Sequence, residues 1–125
     1  MLFQVNFAKN QEEMEECLLS YQLVVSEKPS VGAAYAKVLG ATNRKDGYLE
    51  GNGYLVSWCI GHLVSLADAA AYDERFKKWC YDDLPILPQE WQYIIPAEKK
   101  GQFAVLRSLM ERPDVTGLVC ATDAG

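Results

Sequence analysis

Two acids in this chain stand where strands end. Glu27 closes the apolar run Gln22-Leu23-Val24-Val25-Ser26-Glu27, and Asp123 follows the run Gly117-Leu118-Val119-Cys120-Ala121-Thr122. Open α/β sheets bind ligands outside the carboxyl ends of their strands. On adjacent parallel strands, Glu27 and Asp123 would be a suitable pair of oxygen donors for Mg2+. That ion takes one or two carboxylates and keeps waters or phosphate oxygens for its remaining positions. Lys28 stands beside Glu27 and could hold a phosphate oxygen as a point charge. Pro29-Ser30 then opens a helix, whose free N–H groups and partial positive charge also suit a phosphate. His62 is the single histidine. Beside a phosphodiester it could donate a hydrogen bond to a non-bridging oxygen. Each of these residues alone also fits an ordinary solvated loop or turn. It is the pairing of two strand-end acids that favours a site.

The elements that must position these groups follow from periodicity. Leu23–Ser26 reads as a short buried strand. Pro29 suits the first turn of a helix, where its missing N–H costs nothing. Val31, Ala34, Tyr35, Val38 and Leu39 fall on one helical stripe, and Gly40 suits the left-handed stop. Tyr48-Leu49-Glu50 and Tyr54–Ile60 flank Gly51-Asn52-Gly53, a hairpin signal. Tyr72, Phe76, Trp79 and Cys80 suggest a short helix. Leu84-Pro85-Ile86-Leu87-Pro88 must be an extended connection, and Trp91–Ile95 a candidate strand. A second long helix is expected from Glu98 to about Arg112, with Phe103, Leu106 and Met110 on one face and Val105 and Leu109 widening it. Strand, helix, β excursion, helix, strand is the order of an α/β fold with a mostly parallel sheet, helices packed on it and an inserted β-hairpin.

Residues 1–20 stand apart as an amino-terminal extension. Phe3, Val5 and Phe7 alternate, and Met14, Cys17, Leu18 and Tyr21 take helical spacing behind an acidic run. Either a docked amphipathic helix or a poorly ordered tail fits.

The 125 residues suffice for one domain with a core. No apolar run approaches the roughly 18 residues a membrane helix needs, and the start lacks the marks of a signal peptide. A cytoplasmic protein is the default. Cys17, Cys59, Cys80 and Cys120 are widely spaced with no C-x-x-C pattern, which argues against zinc and for reduced, buried thiols. Trp58, Trp79, Trp91 and the seven tyrosines read most simply as packing residues. The net charge of −5 excludes nucleic-acid binding by bulk electrostatics. Any phosphate contact must be local, metal-assisted or supplied by other chain.

Several blocks in order resemble one family. Val24-Val25-Ser26-Glu27-Lys28-Pro29-Ser30, Asp46–Tyr54, Trp58-Cys59-Ile60-Gly61-His62-Leu63, Ala71-Tyr72-Asp73, Asp83–Pro88 and Cys120-Ala121-Thr122-Asp123-Ala124-Gly125 resemble the amino-terminal Toprim domain of bacterial type IA DNA topoisomerases, topoisomerase III above all. The resemblance covers roughly residues 22–125, and residues 21–125 are expected to form the Toprim domain. It implies a Rossmann-like fold. It also implies an enzyme that cuts one DNA strand with a tyrosine, passes another strand through and reseals the gap, with Mg2+ and without ATP. Glu27 would then act in acid/base work at the leaving 3′-oxygen. Lys28 would stabilise the phosphate, Asp123 would bind Mg2+ with Glu27 beside it, and His62 would lie near the phosphodiester.

The departures are specific. The family's acidic motif usually runs D-x-D-x-E, but position 125 is Gly, which the topoisomerase III subgroup tolerates. The motif's later acid is expected beyond Gly125, as is the remainder that carries the nucleophilic tyrosine. None of the tyrosines here takes that role, and the extension before Tyr21 has no counterpart. The expectation is a Toprim domain truncated at its carboxyl end that neither binds DNA strongly nor relaxes it alone. The alternative is a standalone Toprim-like binding module for a partner or nucleotide.

Overall fold

The computed structural model describes residues 20–123. The expectations for the amino-terminal extension and Cys17, and for Ala124 and Gly125, lie outside the described residues.

Tyr21–Ser26 forms strand β1. Leu23, Val24, Val25 and Ser26 are all buried, so the strand is covered on both faces, which is why it reads as a continuous apolar run rather than an alternation. Helix α1, Pro29–Leu39, starts with Pro in its first turn. It stops at Gly40, whose φ of 80° is left-handed and whose N–H donates to the Ala36 carbonyl. Strands β2 (Asn43–Lys45), β3 (Tyr48–Gly51) and β4 (Tyr54–Trp58) follow. Two short strands, β5 (Ser65–Leu66) and β6 (Tyr93–Ile94), pair antiparallel in a separate small sheet. Helix α2 spans Lys100–Met110 and strand β7 spans Val115–Ala121.

The α/β class is as expected, but the main sheet is mixed rather than mostly parallel. Its order is β2-β3-β4-β1-β7. β1 pairs parallel with β4 and β7, while β2–β3 and β3–β4 are antiparallel. The hairpin is therefore built into the sheet. Its second strand is a parallel neighbour of β1, and its first extends the sheet outward. β2, which carries three exposed polar residues, had no apolar alternation to announce it.

Two cores flank the sheet, divided by the strand alternation. On one face Leu23, Val25 and Leu55 pack with Leu63, Leu106 and Leu109, so α2 lies there. On the other, Val24 and Val56 pack with Ala36 and Ala41, so α1 lies there. Burial of a leucine such as Leu106 or Leu109 stabilises by about 1.5–3 kcal/mol.

The expected helix faces need correction. α1 buries Gly32 and Ala36, while Val38 is 85% exposed and Ala34 and Tyr35 also face solvent. The helix approaches the sheet through its smallest residues. A Cβ on Gly32 would stand 2.9 Å from Ser26 Oγ and 3.0 Å from Trp58 Cε3. Close backbone approach, not bulk, sets the contact face. In α2, Leu106 and Leu109 are buried, Phe103 and Val105 pack at the edge of that core, and Met110 is half-exposed. A short 3-10 turn, Ala97–Lys99, leads into it.

The expected helix near Tyr72–Cys80 is three 3-10 turns instead: Ala69–Ala71, Glu74–Lys77 and Tyr81–Asp83. This segment lacks a face wide enough to bury, and Trp79 is 84% exposed. The strand expected over Trp91–Ile95 contracts to Tyr93–Ile94. Cys59, Cys80 and Cys120 are free thiols, as expected, but only Cys59 is even half-buried. Cys120 is exposed because β7 forms the outer edge of the sheet among the described residues. No helix among them is long and apolar enough to cross a membrane.

Candidate active site

Register brings three strand ends to one level. Ser26 lies opposite Trp58 on β4 and Ala121 on β7. The next residues, Glu27, Cys59 and Thr122, therefore leave the sheet side by side, and Asp123 follows directly. They line a cavity of about 380 Å³ with Gly61 and His62. The backbone N–H of Asp123 points to Glu27 Oε2 at 3.4 Å, a long contact that ties the two strand ends. Three of the four residues singled out from sequence, Glu27, His62 and Asp123, thus share one opening.

The fourth does not. Lys28 is solvent-exposed and does not line the cavity. It occupies the N-cap position of α1 in extended conformation, with no side-chain cap. Its backbone is fixed instead. The Lys28 carbonyl accepts from Ser26 Oγ at 3.0 Å and from the Gly32 N–H at 3.0 Å. Ser26 is fully buried, and its hydroxyl also reaches the Ser57 carbonyl at 3.4 Å. This small-residue cluster explains how a helix can start within two residues of β1 and still hold the Glu27–Lys28 pair at the strand end.

The His62 side comes from β4. Cys59 N–H donates to the Ser26 carbonyl at 2.8 Å, which prolongs the parallel pairing one step past Trp58. Gly61 then turns the chain with a φ of 63°. His62 is exposed on the rim, and Leu63 plunges into the α2-side core. Lys99 Nζ donates to the His62 carbonyl, and Gln102 Nε2 donates to the Trp58 carbonyl at 2.8 Å.

Two thiols lie at the ends of the neighbouring strands, Cys59 in the cavity beside Glu27 and Cys120 on β7, opposite Val25. Burial, aided by the Glu27 carboxylate and then by Cys120, pushes the Cys59 thiol up. The Cys120 thiol is lowered by its contact with the Thr122 hydroxyl, 3.3 Å away. Sequence reasoning missed Cys59 and Thr122 as cavity residues. The available signal was their place one residue beyond a strand end, level with Glu27. It also missed Lys99 and Gln102, which no local pattern marks, because they reach the site from another element.

Fold and cavity together define an α/β protein that gathers two acids and an imidazole at the carboxyl ends of parallel strands. No family model matches the chain. Over 107 residues, 86% of its length, it is 43% identical to DNA topoisomerase 3 of Bacillus cereus and equally to that of Bacillus subtilis. It is 42% identical over 102 residues to DNA topoisomerase 3 of Shouchella clausii. The chain is thus a homologue of DNA topoisomerase 3 and fits a fragment of a topoisomerase III-like enzyme. It spans about 15% of the length of these curated relatives.

Proposed function

We propose that this chain is the amino-terminal, Toprim-type part of a type IA, topoisomerase III-like enzyme, an isomerase acting on DNA in the cytoplasm. The observation that carries the reading is the meeting of Glu27, His62 and Asp123 in one cavity, in a chain so similar to DNA topoisomerase 3. In this reading the Glu27 carboxylate moves a proton at the leaving 3′-oxygen of a cleaved single strand. His62 donates to a non-bridging phosphate oxygen from the rim. Lys28 meets the phosphate from outside the cavity as an exposed point charge. The nucleophilic tyrosine belongs to the remainder of the enzyme, so the 125-residue chain by itself does not relax DNA and, being acidic, binds it weakly.

Mg2+ fits the donor set. Glu27 and Asp123 carry hard oxygen donors and line one cavity, and among the described residues no group of three or more ligating side chains forms a cage. Two carboxylates that leave the remaining positions to water and phosphate are what Mg2+ accepts. Bound there, the ion would neutralise phosphate charge.

A chimaera tests the proposal. This segment replaces the matching segment of the Bacillus subtilis relative, and relaxation of negatively supercoiled plasmid is followed with and without Mg2+. Relaxation should need Mg2+ and be abolished by Glu27→Gln. Undiminished relaxation by the Glu27→Gln chimaera would sink the assignment.

A further inference from the structure

Within the Cys59–His62 loop, Cys59 packs against the α2-side core, whereas Ile60 and His62 are exposed. A Cβ on Gly61 would meet nothing within 4 Å, so the turn that aims His62 is not wedged by neighbours. Its backbone is instead tied at both ends, from α2 and from the turn that leads into that helix. Gln102 Nε2 holds the Trp58 carbonyl at 2.8 Å, just before the loop. That amide is locked in orientation. It also faces the Gly47 carbonyl at 3.2 Å and Ser57 Oγ at 3.1 Å, and the Ser57 hydroxyl donates its proton to the Gly47 carbonyl. Every neighbour of Nε2 is therefore an acceptor. Three residues earlier, on the same side of the helix entry, Lys99 Nζ donates to the carbonyl of His62 itself. Lys99 is half-buried, and among the described residues it forms no ion pair. A charged donor directed at a main-chain carbonyl makes a charge-assisted hydrogen bond that ties the loop to this helix entry.

We infer that Lys99 is a positioning residue for His62. It acts through the His62 carbonyl, keeping the imidazole on the rim shared by Glu27 and Asp123, while Gln102 fixes the start of the loop. The inference rests on the reading of His62 as the phosphodiester-facing imidazole. The entry to α2 thereby sets the aim of a residue that the helix does not itself carry.

The test uses the 125-residue chain and its single histidine, which gives one set of imidazole signals in a proton–carbon NMR spectrum. Lys99→Met keeps the aliphatic stem and removes the donor, while Lys99→Arg keeps a donor. In Lys99→Met the His62 ring signals should move toward the values of an unstructured peptide. Amide exchange at His62 and Leu63 should rise about tenfold or more relative to β1, as loss of a charge-assisted hydrogen bond implies. Lys99→Arg should restore both. Ring signals and exchange in Lys99→Met that match the parent, or a Lys99→Arg variant that behaves like Lys99→Met, would overturn the inference. Neither readout involves DNA or metal. The phosphodiester role fails separately, if a His62→Ala chimaera relaxes DNA at the parental rate.

Discussion

Gly32 allows a prediction whose sign is set by distances. Its backbone is ordinary right-handed helix, so alanine at this position meets no dihedral strain. In an open helix, Gly→Ala stabilises by about 0.8–1 kcal/mol. Here the new methyl would stand 2.9 Å from Ser26 Oγ and 3.0 Å from Trp58 Cε3, with the Ser57 carbonyl at 3.6 Å. Neither close neighbour is a loose end: Ser26 is fully buried and hydrogen-bonded, and Trp58 belongs to β4. Overpacking of this kind costs about 1–3 kcal/mol. The net for Gly32→Ala is therefore a loss of up to about 2 kcal/mol. Gly101→Ala in α2 is the control. Its Cβ meets nothing within 4 Å, and the change should stabilise by up to about 0.5–1 kcal/mol. Because the helical gain is common to both, the difference between the two variants, about 1–3 kcal/mol, is the clash itself. Urea unfolding reads it as opposite shifts of midpoint at constant slope, and thermal melts as several degrees of separation. Gly32→Ala that stabilises as much as Gly101→Ala would refute close approach as the reason for glycine.

Three further outcomes are expected. Cys120, exposed and with its thiol lowered by Thr122, should react with iodoacetamide faster than the half-buried Cys59, whose thiol is raised; the rate at Cys59 should reach its midpoint at higher pH, and a reversed order in peptide mapping would contradict the shifts. Arg112 donates to both oxygens of Asp114, at 2.9 and 2.6 Å, and holds its carboxyl below the usual range. A depressed carboxylate contributes stability above its unfolded value of about 3.9 and loses it as pH falls through the folded one. Parent and Asp114→Asn should therefore differ in urea midpoint at neutral pH and converge in acid, modestly because the pair is about one-third exposed; a gap that widens in acid would be the wrong sign. Finally, if the proposed site holds Mg2+, the 125-residue chain should bind it with millimolar affinity or weaker by titration calorimetry, since among the described residues the carboxylates lining the cavity are those of Glu27 and Asp123; tight binding would mean that the donor set is larger than Glu27 and Asp123.

Legibility from sequence followed the range of the interactions. Pro29, Gly40 and the Gly51-Asn52-Gly53 turn are local devices, and each sits where its chemistry placed it. The convergence of Glu27 and Asp123 was also legible, because parallel strands that end in acids leave few alternatives. The buried face of α1 was misread because hydrophobicity marks bulk, whereas the sheet selected Gly32 and Ala36 by closeness. The mixed sheet was missed because pairing partners are a tertiary choice, and exposed β2 carries no apolar pattern. Lys99 and Gln102 could not be found as supports of the His62 loop: their partners are main-chain carbonyls, which look alike in any sequence.

The position of β7 bears on how the cavity can be tuned. Among the described residues β7 pairs only with β1, and Leu118 and Val119 are each about half exposed along it. Asp123 hangs from the end of this half-clamped strand, whereas Glu27 follows a strand clamped on both sides. A segment that added its hydrogen bonds to the side of β7 that no described residue pairs would change the twist of this strand more directly than that of β1. The spacing of the two acids would then become an adjustable quantity, set by pairing along β7 rather than at either carboxylate.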